Sequence, residues 1–175
     1  MVSAESEKDL QKEGQGFLEH LQKALRRAQI HYEMIFHRNV LIESGGAACF
    51  FSKEIVKGVL LCADDRLVMV VLPVNAEIDL EIIKTILQAD LLRPASPLEI
   101  EHLFPSNFLE GNTSAPPEKR NLPPAYVDLS LLENEMIAFS TGRGNPLIRM
   151  KTVDFLKLVS PTFGDFRVRR VPLRP

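Results

Sequence analysis

Two apolar runs separated by a short polar interruption mark the centre of the chain. They span Val56 to Pro73, VKGVLLCADDRLVMVVLP, with the polar residues at positions 64–66 between them. Each run is short enough for a strand and rich in Val and Leu, so the pair predicts a β-hairpin at the centre of a sheet. Lys57 is the exception. A charged residue at the mouth of an otherwise apolar strand lies either at a solvated end or in a pocket.

Two further stretches carry the spacing and punctuation of helices. Apolar residues at three- and four-residue intervals predict a helix from Phe17 to near Gln29. Further along, Ser96, Pro97 and Glu99 supply an N-cap, a first-turn proline and a capping-box acid for another helix.

Two more helices are predicted from single capping residues. Asp79 is the expected cap of one and Thr152 of the other. Their predicted buried stripes are Leu80, Ile83, Ile86 and Leu87 in the first, and Val153, Leu156 and Leu158 in the second.

Strand-like segments surround these helices. Residues 31–37 alternate, which places Tyr32, Met34 and Phe36 on one face of a strand. Later strands are predicted at 125–128, 135–140, 147–150 and 163–171. The conformations of residues 38–54 and of the proline-rich residues 104–124 stay open. The order of the elements predicts a mixed α/β or α+β domain.

Composition narrows the class of protein. A chain of 175 residues fits one domain, expected at 17–175 after a flexible segment at 1–16. A net charge of -2 argues against nonspecific phosphate binding through a bulk positive field and leaves open a local basic patch. Cys49 and Cys62 show no metal-ligand spacing, so we expect free thiols and no metal. No apolar run reaches membrane-spanning length and no signal peptide is present, which predicts a cytoplasmic protein without membrane contact.

The common catalytic motifs are absent from the sequence. It contains no nucleophile elbow, no zinc-protease helix motif, no phosphate-binding glycine loop and no dinucleotide fingerprint. Asp64 and Asp65 resemble paired catalytic carboxylates, but adjacent acids between two strands are typical of a solvated turn. Residue chemistry alone therefore indicates an α/β domain with one unusual lysine and one long loop.

The order of segments from Val56 to Leu103 resembles the central block of the YbaK/ProRS-associated domain family, the trans-editing aminoacyl-tRNA deacylases. That block has a lysine opening a strand, a strand ending in proline, an Asp-Leu helix start and an Ala-Ser-Pro step before a Glu-rich helix. These features fall on Lys57, Pro73, Asp79 and Ser96 in this chain. The segment PAYVDLSLLENEMIAFSTGRGNPLIRM resembles the later block of the family, so the likeness spans about residues 17–166.

The resemblance implies a barrel-like mixed sheet surrounded by helices and an enzyme that hydrolyses the ester of a mischarged amino acid on the tRNA 3′ end. Aminoacyl-tRNA is the implied partner, an aminoacyl-tRNA synthetase is left open as a second one, and no cofactor is implied. Lys57 is the implied catalytic residue, holding the terminal phosphate or the reacting carbonyl. The implied substrate-binding residues are His37, Gly111, Asn112, Pro116, Ser140, Gly142 and Leu147.

Three of these positions depart from the family pattern or have a second interpretation. Asn112 stands where the glycine of the family's Gly-x-x-x-Pro loop is expected, with Gly111 one place early. Leu147 stands where relatives often carry a polar residue, which makes the amino-acid pocket more apolar or the site inactive. His37 is equally well interpreted as a strand-end residue. Two alternatives therefore stay open: a silent module that binds the tRNA end or an aminoacyl-adenosine, and a regulatory interaction domain.

Overall fold

The computed structural model describes residues 18–19, 21–36, 54–103, 123–140 and 146–168, with side chains for all of these except 101–103. The helices are α1 (21–27), α2 (Leu80–Leu87), α3 (Pro97–Leu103) and α4 (Thr152–Val159), and a 3-10 helix spans Leu129–Glu133. The strands are β1 (Tyr32–Ile35), β2 (Ile55–Ala63), β3 (Arg66–Pro73), β4 (Leu92–Pro94), β5 (Ala125–Asp128), β6 (Met136–Ser140), β7 (Leu147–Lys151) and β8 (Thr162–Gly164). The predicted mixed α/β class is confirmed.

All eight strands belong to one mixed sheet. Seven follow the order β1-β7-β6-β2-β3-β5-β8, and β4 pairs with β2 as well. The predicted hairpin is confirmed, because β2 and β3 pair antiparallel from Val56 opposite Pro73 to Ala63 opposite Arg66. The pairs β2–β6, β3–β5 and β5–β8 are parallel, whereas β1–β7, β2–β4 and β6–β7 are antiparallel.

The sheet has two covered faces, which we call the Val56 face and the Lys57 face after consecutive residues of β2. Helices α1 and α4 pack on the Val56 face through Leu25 and Phe155. Helix α2 packs on the Lys57 face through Ile83, where the buried residues of β3 and Phe166 meet it. Adjacent residues of a strand point to opposite faces, so β2 contributes to both cores.

The join between β2 and β6 is the shortest in the path of the sheet. It consists of Ile55 opposite Ala138 and Val56 opposite Phe139, and we call this two-residue pairing the seam. Within the described ranges, the seam is the only strand pairing between the β1–β7–β6 half and the β2–β3–β5–β8 half of the sheet.

The predicted turn and caps have identifiable partners. Asp64 has a positive φ of 53°, and its carboxylate accepts the backbone N–H groups of Asp90 and Leu91 at 3.1 and 2.9 Å. The acid predicted as a solvated turn residue therefore fastens the hairpin to the connection between α2 and β4. The Asp79 carboxylate caps α2 as predicted, accepting the backbone N–H groups at 81 and 82.

The predicted helix stripes are partly wrong. In α2, Leu80 and Ile86 are 39% and 45% exposed, and Ile82 packs on the core beside Ile83. In α4, Val153 and Leu158 are exposed, and the buried position is Phe155. Both helices are about two turns long. In so short a helix, the buried face inferred from the sequence changes when a single apolar residue is added or removed.

The predicted cap at Thr152 is also wrong. Thr152 is the first residue of α4, which begins after Lys151 without a side-chain cap. The Thr152 hydroxyl donates instead to the carbonyl of Asn134, and the residue is buried. This hydrogen bond connects the start of α4 to the turn before β6.

Of the strand predicted for residues 163–171, the structure describes positions 163–168, and the strand there is shorter than expected. Strand β8 ends at Gly164, because the chain then turns Phe166 into the core. Asp128 holds this turn. Its fully buried carboxylate accepts the N–H of Phe166 at 2.9 Å and the N–H of Ser130 at 3.0 Å, and lies 3.1 Å from Nε of Arg167.

Cys62 packs as the sequence predicted, at 2% exposure within β2. Its thiol donates to the Asp64 carbonyl. Burial, with a smaller contribution from a hydrogen bond to Glu99, raises the pKa of the Cys62 thiol. Cys49 lies outside the described residues.

The capping box before α3 is confirmed and belongs to a larger ionic network. The backbone N–H of Ser96 donates to Glu99 at 2.7 Å, and the N–H of Glu99 donates to the Ser96 hydroxyl at 3.3 Å. Arg93 adds a bidentate pair to the same carboxylate, at 2.8 and 2.7 Å. The Arg93 guanidinium, followed by the Ser96 bonds, holds the pKa of Glu99 well below its usual range.

We predict that Glu99→Gln reduces the pH dependence of stability on the acid side. Because the pKa of Glu99 is lowered in the folded state, the unfolded chain binds its proton first as the pH falls. The stabilisation is therefore present above the ordinary glutamate pKa of about 4.3 and is lost below it. Unfolding free energies measured by urea titration at several acidic pH values should fall more steeply for the parent than for Glu99→Gln. The exposed Glu81→Gln is the control, and equal slopes for all three proteins would contradict the prediction.

We also predict that Asp128→Asn destabilises the protein by about 2 kcal/mol or more, since the substitution leaves buried donors without their charged acceptor. Equilibrium urea unfolding measures the change. Asp90→Asn is the matched control, because Asp90 is exposed and its contact with Asp64 is made by its backbone. A change below about 0.5 kcal/mol for Asp128→Asn would show that the carboxylate does not hold the turn.

Candidate functional site

Lys57 lies one residue beyond the seam, on the Lys57 face of β2. Its cross-strand partner in β3 is Leu72, which is fully buried. The Lys57 side chain is partly buried, and no hydrogen bond or ion pair joins it to another described residue. A partly buried ammonium without a carboxylate partner retains its capacity to attract an anion or a polarised carbonyl.

Three more residues continue the row of Lys57 across the sheet. The pairing of β2 with β6 ends at Val56 opposite Phe139, so Lys57 and Ser140 are the next residues of their strands after the seam, on the same face of the sheet. Ser140 pairs with Leu147 in β7, and Leu147 pairs with Ile35 in β1. Because cross-strand partners point to one face, all four side chains lie on the Lys57 face. Ser140 is exposed and Leu147 is 6% exposed.

The edge of β2 is divided beside Lys57. One edge of β2 pairs with β3 throughout, so β6 and β4 share the other edge. Strand β6 occupies that edge up to Val56 and β4 begins at Leu61, with Ala95 donating to the Leu60 carbonyl. Among the described strands, residues 57–59 therefore have no partner on this edge of β2. We call this interval between β6 and β4 the gap, and Lys57 is its first residue.

An ionic cluster occupies the neighbouring row on the same face. Arg149 of β7 donates to Glu54 through Nε at 2.8 Å and through Nη2 at 3.2 Å. Its Nη1 donates to Glu33 of β1 at 3.1 Å. These hydrogen bonds, that to Glu54 first, raise the pKa of the Arg149 guanidinium. Arg149 and Glu54 are 18% and 20% exposed, whereas Glu33 is 63% exposed.

The described structure brings together only part of the predicted site. Lys57, Ser140 and Leu147 share one row, as given above. The other predicted residues lie outside the described ranges, namely His37, Gly111, Asn112, Pro116 and Gly142. Within those ranges no group of three His, Cys, Asp or Glu side chains is placed to hold a metal ion, and no helix is long and apolar enough to cross a membrane.

Sequence reasoning missed Glu54 and Arg149. They are separated by 95 residues, so no local pattern connects them. The sequence of β7 contained a weak signal, because the charged Arg149 lies between the apolar residues Ile148 and Met150. This pattern is typical of a strand that has one charged position on an otherwise covered face. Its partner could be identified only once the register of β1, β7, β6 and β2 was known.

The fold and the row define a class of protein: a mixed α/β domain with a lysine at a gap in its sheet. A family model described as the aminoacyl-tRNA editing domain matches residues 46–158. The match covers more than half of the chain, and the chain belongs to this family. It includes Lys57, Ser140 and Leu147, and supports a role in tRNA editing.

Solved structures show the same fold. A candidate trans-editing enzyme for prolyl tRNA synthetase superposes with a TM-score of 0.65 at 19% identity, covering 87% of this chain and 98% of that one. A structure from work on grafting epitopes onto scaffold proteins has a TM-score of 0.64 at 17% identity, over 90% of this chain and 98% of that one. The hypothetical protein APE2540 superposes with a TM-score of 0.58 at 18% identity, covering 83% of this chain and 97% of that one. No curated protein matched the chain in sequence.

Proposed function

We propose that the protein is an aminoacyl-tRNA deacylase that hydrolyses the ester of a mischarged amino acid on the tRNA 3′ end. The observation that carries the proposal is the placement of Lys57 at the gap between β6 and β4, within the segment that matches the editing-domain family. Among the described residues, Lys57 has no hydrogen-bond or ion-pair partner. Aminoacyl-tRNA is the proposed substrate.

Electrostatic positioning is the proposed source of catalysis. An aminoacyl ester is already activated, so a fixed cation and a few oriented donors can supply much of the acceleration without a protein nucleophile. In this mechanism the Lys57 ammonium stabilises the terminal phosphate or the oxyanion that develops on the ester carbonyl. Water adds to the ester carbonyl carbon, oriented by the neighbouring free ribose hydroxyl of the substrate. The bond between that carbon and the ribose oxygen then breaks, a proton from the water passes to the ribose oxygen, and the amino acid leaves as the free acid.

The remaining residues of the row bind the acyl group. Ser140, the next residue of β6 after the seam, is exposed and carries a hydroxyl, and Leu147, its partner in β7, carries an apolar side chain. This composition suits a small amino acid with an apolar side chain. We include His37, Gly111, Asn112, Pro116 and Gly142 in the same proposal as substrate-binding residues, on their correspondence with the family pattern.

A binding module without turnover is the second candidate. The observation that favours it is the composition of the described row, which holds no carboxylate or imidazole side chain that could act as a general base. The row consists of Ile35, Leu147, Ser140, Lys57 and Leu72. Such a module would recognise the tRNA end through Lys57 and release it unchanged.

We predict that Lys57→Ala lowers the rate of deacylation about a hundredfold or more, since it removes the cation that stabilises the transition state. The measurement is release of free amino acid from a panel of mischarged tRNAs. Lys157→Ala is the matched control, because it removes the same charge from an exposed position on α4. The control should retain the parent rate within about twofold.

Two outcomes would count against the leading proposal. Equal rates for the parent and Lys57→Ala would remove Lys57 from the mechanism. Binding of tRNA ends by the parent without hydrolysis of any acyl group would select the binding module. Binding should be assayed at low salt, where phosphate contacts are strongest.

A further inference from the structure

The seam is a weak point of the sheet that runs directly beside Lys57. It joins the two halves of the sheet through two residue pairs. Lys57 belongs to one half, whereas Ser140 and Leu147 belong to the other. Any opening or sliding at the seam therefore changes the distance between the lysine and the rest of its row.

The two faces of the sheet hold the seam differently. On the Val56 face, Val56 and Val71 of one half pack with Ile137, Ile148 and Met150 of the other in a shared apolar core. Apolar packing is not directional, so it resists separation better than it fixes a register. On the Lys57 face, the bidentate pair between Glu54 and Arg149 connects the two halves.

In the register of the sheet, a small residue of β6, Ala138, lies between Arg149 of β7 and the start of β2. Arg149 lies opposite Ala138 in the register of β7 on β6, and Ala138 lies opposite Ile55 in the register of β6 on β2. To reach Glu54, the Arg149 side chain passes over the row position of Ala138. The backbone N–H of Ala138 also donates to the Glu54 carbonyl at 2.8 Å, so Glu54 is held by backbone and side chain together.

We propose that the Glu54–Arg149 pair is a positioning device that locks the seam and so fixes Lys57 against Ser140 and Leu147. Glu54 precedes Lys57 by three residues, and Arg149 follows Leu147 by two. The two described acidic partners of Arg149 carry the same charge. Of these two, Glu54 lies across the seam, whereas Glu33 is in β1 of the same half as Arg149. The catalytic part of this inference rests on the proposed deacylase function.

Glu54→Gln is the test variant and Glu33→Gln its matched control. Each removes one negative charge from the same arginine at constant side-chain size. For Glu54→Gln we expect kcat to fall about tenfold to a hundredfold with little change in KM, because displacement of a catalytic group by about 1 Å has an effect of that size. For Glu33→Gln we expect the parent kcat within about twofold.

A double-mutant cycle separates positioning from general destabilisation. If Glu54 acts through Lys57, then Glu54→Gln should change the residual rate of Lys57→Ala by less than about twofold. If the loss of rate is as large in that background as in the parent, the positioning role is overturned. Near-UV circular dichroism of each variant verifies that the compared proteins are folded.

Amide hydrogen exchange tests the lock without reference to activity. The Ala138 N–H crosses the seam to Glu54, and the Met69 N–H, bonded to the Pro124 carbonyl at 2.9 Å, is the internal reference in the other half. Exchange of the Ala138 N–H should be about tenfold or more faster in Glu54→Gln than in the parent, and unchanged in Glu33→Gln. Exchange of the Met69 N–H should be unchanged in both variants. Unchanged exchange at Ala138, or equal effects of the two variants, would overturn the lock.

The outcomes distinguish this inference from the proposed function. If the parent hydrolyses no aminoacyl ester, the deacylase function fails, and hydrogen exchange still decides whether the pair locks the seam. If Glu54→Gln does not fold, Arg149→Lys replaces it, since a lysine keeps the charge but cannot donate two parallel bonds to Glu54. The same rise in exchange at Ala138 is then expected, and its absence overturns the lock.

Discussion

The two-residue seam between β2 and β6 is the constraint on which the arrangement of the candidate site depends. Among the described strands, every other pairing keeps its partners within one half of the sheet. In that part of the chain the two halves are joined by this short pairing, the shared core on the Val56 face and the Glu54–Arg149 ion pair. The candidate lysine stands immediately past the join. A site placed there gains an opening in the sheet edge, and its geometry becomes sensitive to residues that do not contact the substrate.

The parts of the fold that could be predicted from the sequence are those determined by local chemistry. The hairpin followed from two apolar runs around a polar turn, and the start of α3 from Ser96 and Glu99, whose reciprocal bonds need only three residues of spacing. Asp79 was recognisable as a cap for the same reason. Lys57 was conspicuous because its charge interrupts an apolar strand, and the family resemblance then gave it a chemical role.

The features that could not be predicted depend on partners distant in the chain. Thr152 has the composition of a cap, but its hydroxyl is taken by the Asn134 carbonyl of a preceding turn. The exposed faces of α2 and α4 depend on which residues of the sheet lie beneath them. Arg149 appears in sequence as an ordinary strand charge. Its bond to Glu54 could not be predicted, because it depends on the register of β7 on β6 and of β6 on β2.

The pairing of β1 with β7 has a consequence for the order in which the protein is assembled. Glu33 and Arg149 are 116 residues apart in sequence, so β1 leaves the ribosome long before its only described partner strand has been made. The β2–β3 hairpin can form early from neighbouring residues, whereas the half of the sheet that carries Ser140 and Leu147 must wait until β6 and β7 have been made. The hairpin that carries the lysine can therefore form before the strands of the other half have been synthesised.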